Sequence, residues 1–356
     1  MIAHFRDLEE FLDRIVDEPV IAIDTEADSL HCYFEKLCLV QVSTPCEHQL
    51  VDPLSDQLPV QPFLDAMRDK RIVFHGADYD LRMLRKTGEF EPREIFDTMI
   101  AARLSGLNTL GLAALVEKYF GVVLSKGSQK ANWAIRPLSA EMIDYAMNDT
   151  RYLLPLSELL EAELRRLDRL EWFRESLERM IAATRETRER DENSVWRISG
   201  SAKLSPRAQS VLRVLWFWRD AEARSWNRPP FHVMSNDDLL KVAERVSQGA
   251  AFSTPRMANR RRRSFEIALA LALQVPEEEW PQVERKRGKR RTLEQVKRFD
   301  DLKAVRDRIA ADLAIDPAVI APRGALETVS IYPDSTALMN WQRKLLGFEP
   351  LPKVEV

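Results

Sequence analysis

Apolar residues recur in two rhythms along this chain, and the change between them divides it. In the first 130 residues, short apolar runs alternate with segments of helical period. Val20–Asp24 (VIAID) is a compact apolar run that ends in a carboxylate. Leu37–Ser43 (LCLVQVS) and His48–Asp52 (HQLVD) have the composition of two further strands. Pro45 and Cys46 lie between them, which predicts a hairpin. Arg71–His75 (RIVFH) predicts another buried strand. Helical spacing predicts helices over Phe63–Asp69, Asp78–Lys86, Thr98–Ser105 and Thr109–Phe120. Strands mixed with helices, with an early hairpin, predict an α/β fold: a mixed sheet covered by helices.

From Ser139 onward the rhythm is helical. Ser139 suits an N-cap, with Glu141 in the first turn. Pro155 predicts a kink or break near Arg151. Thr184–Ser205 is polar, contains Gly200 and alternates in charge, which predicts a linker. Leu204–Trp280 and Leu293–Leu346 carry helical spacing without strand-like alternation, and the charged stretch Val283–Arg291 separates them. Two small all-helical domains are the simplest account. The expected organisation is an α/β domain over 1–185, a linker over 186–203, a helical domain over 204–282, a basic linker over 283–291 and a second helical domain over 292–350.

Composition narrows the class. The chain has 356 residues, 45% apolar and 31% charged, which describes a globular protein with a sizeable core. Its three cysteines, Cys32, Cys38 and Cys46, are odd in number and lack a CxxC pair. This predicts free thiols in a reducing compartment and neither a disulfide framework nor a zinc site. The early His4, Arg6 and Asp7 predict no secretory signal, and no apolar run is long enough to span a membrane. A cytoplasmic location is expected.

The net charge of −3 conceals a division. Residues 1–160 carry a net −10 and residues 161–356 a net +7. An acidic part joined to a basic part fits cation binding in one and polyanion binding in the other. The excess is concentrated in Arg260–Arg263 and in Arg285, Lys286, Arg287, Lys289, Arg290 and Arg291. These runs alone fit a solvated face and linker as well as nucleic-acid contact.

The candidate chemistry lies in the acidic part. Asp24 and Glu26 form a D-x-E pair at a strand end, and residues two apart share one strand face. Two carboxylates on a buried strand repel unless a cation lies between them. A second copy, Asp7–Leu8–Glu9, is expected at the solvated start of a helix. Tyr145 and Asp149 are four apart on the predicted helix, on the face that carries Met142, Ala146 and Leu153. A carboxylate there needs a metal or a partner such as Arg103 or Arg151. His48 and Asp52, also four apart, fall in a strand, where they lie too far apart to cooperate. His75–Asp80 passes from strand end to helix start: Asp78 suits the first turn, and Asp80 projects towards the sheet ends. Asp97, at another such junction, suits an N-cap or a supporting role, with direct participation as the alternative.

The ordered series D-x-E, then D, then Y-x3-D resembles the DEDDy 3′–5′ exonucleases. The stretches Ile23–Leu30, Leu39–Ser43 and His75–Asp80, and then Lys126, Gln129, Trp133, Arg136–Ser139, Tyr145–Ala146 and Asp149, are similar to the ribonuclease D family. Arg219–Asp220, Ala223, Pro229–Phe231 and Ser235–Leu239 resemble an HRDC domain, and Trp341, Arg343 and Leu345–Gly347 a second, more degenerate copy. The resemblance covers nearly the whole chain. His75–Gly76 departs from the pattern, which makes Asp78 the alternative to Asp80.

The resemblance implies a ribonuclease H-like mixed sheet with flanking helices, followed by two all-α HRDC domains. It implies 3′–5′ exoribonuclease activity by two-metal hydrolysis, with tRNA precursors or other structured RNA 3′ ends as substrates. Asp24, Glu26, Asp80 and Asp149 would hold two Mg²⁺ or Mn²⁺ ions about 3.5–4 Å apart, with Asp24 bridging. Tyr145 would orient the attacking water. Lys126, Gln129, Trp133 and Arg136 would contact substrate, with Trp133 as a base-stacking or a core aromatic. The helical domains would guide the strand towards the acidic site, giving a steep salt dependence. A monomer is expected. The rivals are a 3′–5′ exonuclease acting on single-stranded DNA and a silent nucleic-acid scaffold. With 11 glycines and no Gly-rich phosphate loop, a nucleotide-dependent α/β enzyme is disfavoured.

Overall fold

The computed structural model describes residues 1–125, 127–186, 191–250, 257–282 and 291–352. They form two compact units: Met1–Ala27, Leu37–Glu186 and Lys289–Val356 in one, Asp28–Lys36 and Thr187–Gly288 in the other.

The first unit is built on α1 (Phe5–Arg14), β1 (Val20–Ala27), β2 (Leu37–Ser43), β3 (His48–Val51), α2 (Gln61–Met67), β4 (Arg71–Phe74), α3 (Asp78–Thr87) and β5 (Glu94–Asp97). There follow α4 (Thr98–Leu104), α5 (Leu112–Phe120), α6 (Ala140–Arg151), α7 (Leu153–Arg166) and α8 (Leu170–Arg185). The strand order is β3-β2-β1-β4-β5. β1 runs antiparallel to β2 and parallel to β4, so the expected hairpin and mixed sheet are both present.

The two-residue period of the strands sorts the core. Ile21, Ile23, Val40, Val42, Ile72 and Phe74 face α1, α2 and α3, against Leu8, Phe11, Phe63 and Leu81. Ala22, Val73 and Phe96 face the other layer, against Ala101 of α4 and Leu153, Leu156 and Leu160 of α7. Continuing from Ala22 by twos puts Asp24 and Glu26 on that second face.

Helix ends follow local chemistry. The Ser139 hydroxyl accepts the Met142 N–H and caps α6. Pro155 falls in the first turn of α7, after the break at Tyr152. Two ends differ from expectation by three residues. β1 continues through Ala27 because β2 pairs with it as far as Leu37. α5 starts only at Leu112, because Gly111 is an extended N-cap and favours helix poorly.

The same unit includes α13 (Leu293–Asp312), α14 (Pro317–Ile320), α15 (Arg323–Ile331) and α16 (Asn340–Leu345). They enclose Ile320, Leu326, Val329 and Leu338. Trp341 instead joins the core of α4 and α7, and stacks on Trp172 at 4.6 Å. Glu175 of α8 accepts the Asn340 N–H at 2.7 Å.

The second unit holds α9 (Pro206–Trp226), α10 (Pro230–Val233), α11 (Asn236–Ser247) and α12 (Asn259–Gln274). Its core contains Leu212, Leu215, Leu239, Val242 and Phe265. Trp196, in the segment expected as a polar linker, is buried in that core, so this stretch packs where its polar neighbours suggested a free connector. No strand occurs among the described residues after β5. Most of the expected basic linker, and its run Arg285–Arg290, lies outside the described residues.

Candidate active site

Carboxylates from two elements meet on the second face of the sheet, and a fourth acid is tethered beside them. Carboxylate oxygens of Asp24 and Glu26 on β1 and Asp149 on α6 all lie within 4.8 Å of one another. Asp80, in the first turn of α3, reaches the end of β1, where its Oδ1 accepts the Thr25 hydroxyl at 2.6 Å. Thr25 is buried and points away from Asp24 along the strand, so one residue of β1 tethers Asp80 while its neighbours carry the other acids. Asp78 is exposed and pairs with Arg82 at 2.7 Å, one turn along.

The electrostatics fit a cation site. Burial, and then the charges of Asp80, Asp149 and Glu26, hold the Asp24 carboxyl well above the usual carboxylate range. Burial, with Asp149 and Asp80, pushes Glu26 up to about 9. Asp149 rises to about 7, chiefly through burial, although the Tyr145 hydroxyl that donates to it acts the other way. Burial lifts Asp80 to about 6 against the hydrogen bonds it accepts. Ionised together, these groups repel, and divalent cations with a preference for oxygen ligands relieve that repulsion. Burial and the neighbouring acids push the Tyr145 phenol upward as well, so it stays protonated at neutral pH.

Supporting groups fix the frame. Asp97 caps α4 by accepting the Met99 and Ile100 N–H groups, and also accepts those of Gly76 and Ala77 ahead of α3. Gly76 takes φ +81°, where a side chain would be strained and its Cβ would meet Met99 at 2.9 Å. His75 is held at 2.9 Å from the Thr98 hydroxyl, and burial lowers its pKa. Thr25 has no motif status in the sequence. Its signal was the alternation of β1, which turns it to the opposite face.

Two expected substrate contacts, Trp133 and Arg136, are engaged inside the fold. Trp133 is 1% exposed, packed among Leu39, Leu50 and Ala146 with its ring 6.0 Å from that of Tyr145. A ring so enclosed supports Tyr145 and has no face for a base. Arg136 spends its donors inside the protein: Nε and Nη2 grip Asp52 at 2.6 Å, and the rest reach the carbonyls of Trp133, Ile135 and Cys38. It braces β2 and the end of β3 and offers no N–H to a phosphate. Gln129 is exposed. Lys126 lies outside the described residues. His48 bonds Ser43 at 2.8 Å, apart from Asp52. A cavity of about 770 Å³, lined by Asp97, Ile100, Arg103, Met180 and Trp341, includes none of the four acids.

A mixed sheet that gathers half-buried carboxylates from β1 and α6 beside a buried one from α3 defines a metal-dependent nuclease. A family described as 3′-5′ exonuclease matches residues 1–165, and the HRDC domain family matches 208–260. Ribonuclease D of Xanthomonas oryzae pv. oryzae is 30% identical over 349 residues, covering 94% of this chain and 93% of that protein. Ribonuclease D of Bartonella henselae is 28% identical, covering 98% and 88%. The crystal structure of Escherichia coli RNase D superposes with TM-score 0.69 at 23% identity, covering 99% and 92%. The chain belongs to the ribonuclease D family. It is a hydrolytic 3′–5′ exoribonuclease that uses two divalent cations. No helix among the described residues is long and apolar enough to cross a membrane.

Proposed function

We propose that Asp24, Glu26, Asp80 and Asp149 hold the two cations and that Tyr145 orients the attacking water. The convergence of Asp24, Glu26 and Asp149 oxygens within 4.8 Å carries this reading. Asp24 would contribute to holding both cations, since the charges of the other three acids all act on it. When bound, the cations supply acidity to the water and charge stabilisation to the leaving 3′ oxygen. The Tyr145 phenol remains protonated, donates to Asp149, and keeps lone pairs with which to accept from the water. It aligns the nucleophile and does not act as a base.

The substrate is a structured RNA with a free 3′ end, tRNA precursors being the class suggested by the family. Escherichia coli RNase D is described as an exoribonuclease involved in structured RNA processing. Residues 1–185 form the exonuclease domain, 204–282 an HRDC domain and 292–350 a second HRDC-like domain. Lys126 and the exposed Gln129 contact the RNA, and the basic helical domains guide it. The protein acts as a cytoplasmic monomer with Mg²⁺ or Mn²⁺.

The test is a time course on 5′-labelled RNA with either cation, beside Asp24→Asn and a matched DNA. A one-nucleotide ladder shrinking from the 3′ end, faster on RNA and absent in the variant, is expected. A ladder that persists in Asp24→Asn, or appears on DNA alone, contradicts the assignment.

A further inference from the structure

We propose that the C-terminal end of α9, together with residues 31–34, forms a stacking platform for single-stranded RNA. This rests on the reading of the chain as an RNA exonuclease and adds a binding surface outside the acidic site. All of its residues belong to the second compact unit.

Two large rings are open there. Phe34 is 52% exposed and Trp226 is 49% exposed. Each carries a guanidinium: Arg261 lies 4.1 Å from the Trp226 ring centroid, and Arg224 lies 5.6 Å from that of Phe34. A ring with a cation near one face and open area elsewhere suits an unpaired base, and the exposed Arg224 is at hand for its phosphate.

The rings are held in place by polar bonds. Asn227, which ends α9 in the left-handed conformation, turns its Oδ1 to the Tyr33 and Phe34 N–H groups, which donate to it at 3.2 and 3.1 Å. The Tyr33 hydroxyl donates to Asp220 at 3.0 Å, and Arg228 donates to the His31 carbonyl at 3.2 Å. Such bracing lowers the ordering cost of binding.

Charge selects the occupant. Two acids beside the rings are engaged: Asp220 by Tyr33, and Glu222 by the Ser264 hydroxyl at 2.7 Å and Arg261 at 3.7 Å. Arg260, Arg262 and Arg263 of α12 are exposed near the start of the helix that carries Arg261. Open rings in a basic setting favour a polyanion with unstacked bases over a protein surface. The enzyme's own substrate is such a polyanion.

The test is fluorescence anisotropy with a labelled oligoadenylate in the full-length protein, without divalent cation so that nothing is cleaved. Phe34→Ala and Trp226→Ala should each weaken binding about tenfold, and Trp226→Tyr should retain most of the affinity. Arg224→Gln should lower the slope of affinity against salt by about one phosphate contact, which the ring variants leave unchanged. A Phe34→Ala/Trp226→Ala double variant that melts like the parent and binds like it overturns the proposal. Failure of the underlying reading shows separately, as a parent protein that binds the oligonucleotide yet does not shorten it once Mn²⁺ is added.

Discussion

Around Asp24, four carboxylates push one another's protons on, while Arg136 meets Asp52 with every donor used. Both are clusters of buried charge in the first compact unit. In the first the protein leaves repulsion unresolved, which is a state that invites a cation. In the second it has resolved the charge within itself, which leaves nothing for a ligand. Buried charge therefore marks a functional site here only where its partners are missing from the chain. Sequence proximity to a motif does not mark one: Arg136 stands nine residues before Tyr145 and is architectural.

The largest contrast is expected from Asp24→Asn. It should abolish RNA shortening, lowering kcat by orders of magnitude on a 3′-end assay. Arg136→Met should have the opposite profile. It leaves Asp52 buried without its partner, which costs about 3–5 kcal/mol of stability. Denaturant melts would measure this, and Arg136→Met/Asp52→Leu should recover most of the loss. Activity per folded molecule should survive, and its loss would return Arg136 to substrate contact.

Tyr145→Phe sharpens the division within the acidic site itself. It removes a positioning hydroxyl and no cation ligand, so kcat should fall about a hundredfold while Mn²⁺ affinity holds. Calorimetric titration beside a rate assay separates the two. The smallest effect is expected from Asp97→Ala. Loss of the α4 cap should cost about 1–2 kcal/mol, with an accompanying drop in rate because Gly76 and Ala77 lose their acceptor.

Much of this was legible in the sequence where the information is local. β2 matches its expected limits, Leu37–Ser43, because every residue in it is apolar or buried and its turn is marked by proline. The D-x-E and Y-x3-D spacings report faces of a strand and a helix: Asp24, Glu26 and Asp149 converge and Tyr145 packs with Met142 and Ala146, whereas Leu153 falls in α7 beyond the break and joins another core. Asp80 could have been separated from Asp78 by Arg82, four residues on, which marks Asp78 as a surface pair. The roles of Trp133 and Arg136 were not legible. Two of the groups that occupy Arg136 lie 84 and 98 residues away, at Asp52 and Cys38, and only the folded sheet brings them together. The same holds for Trp341, whose stacking partner Trp172 lies in another helix of the same unit. The burial of Trp196 was hidden because one indole outweighs a polar neighbourhood.

The most direct measurement is thermal melting of the parent and Asp24→Asn, with and without Mn²⁺, across pH. Asp80, Asp149 and Glu26 sit at about 6, 7 and 9 in the fold, above the ordinary carboxylate values of 3.8 and 4.5. Between those limits the native state binds more protons than the unfolded chain, so metal-free stability should fall as pH rises through this window. Mn²⁺ should restore that loss, with a larger shift in melting temperature at pH 8 than at pH 6. Asp24→Asn should melt above the parent without metal and gain little from it. A parent indifferent to Mn²⁺ at both pH values, or an Asp24→Asn variant that melts below it in EDTA, would contradict the carboxylate cage.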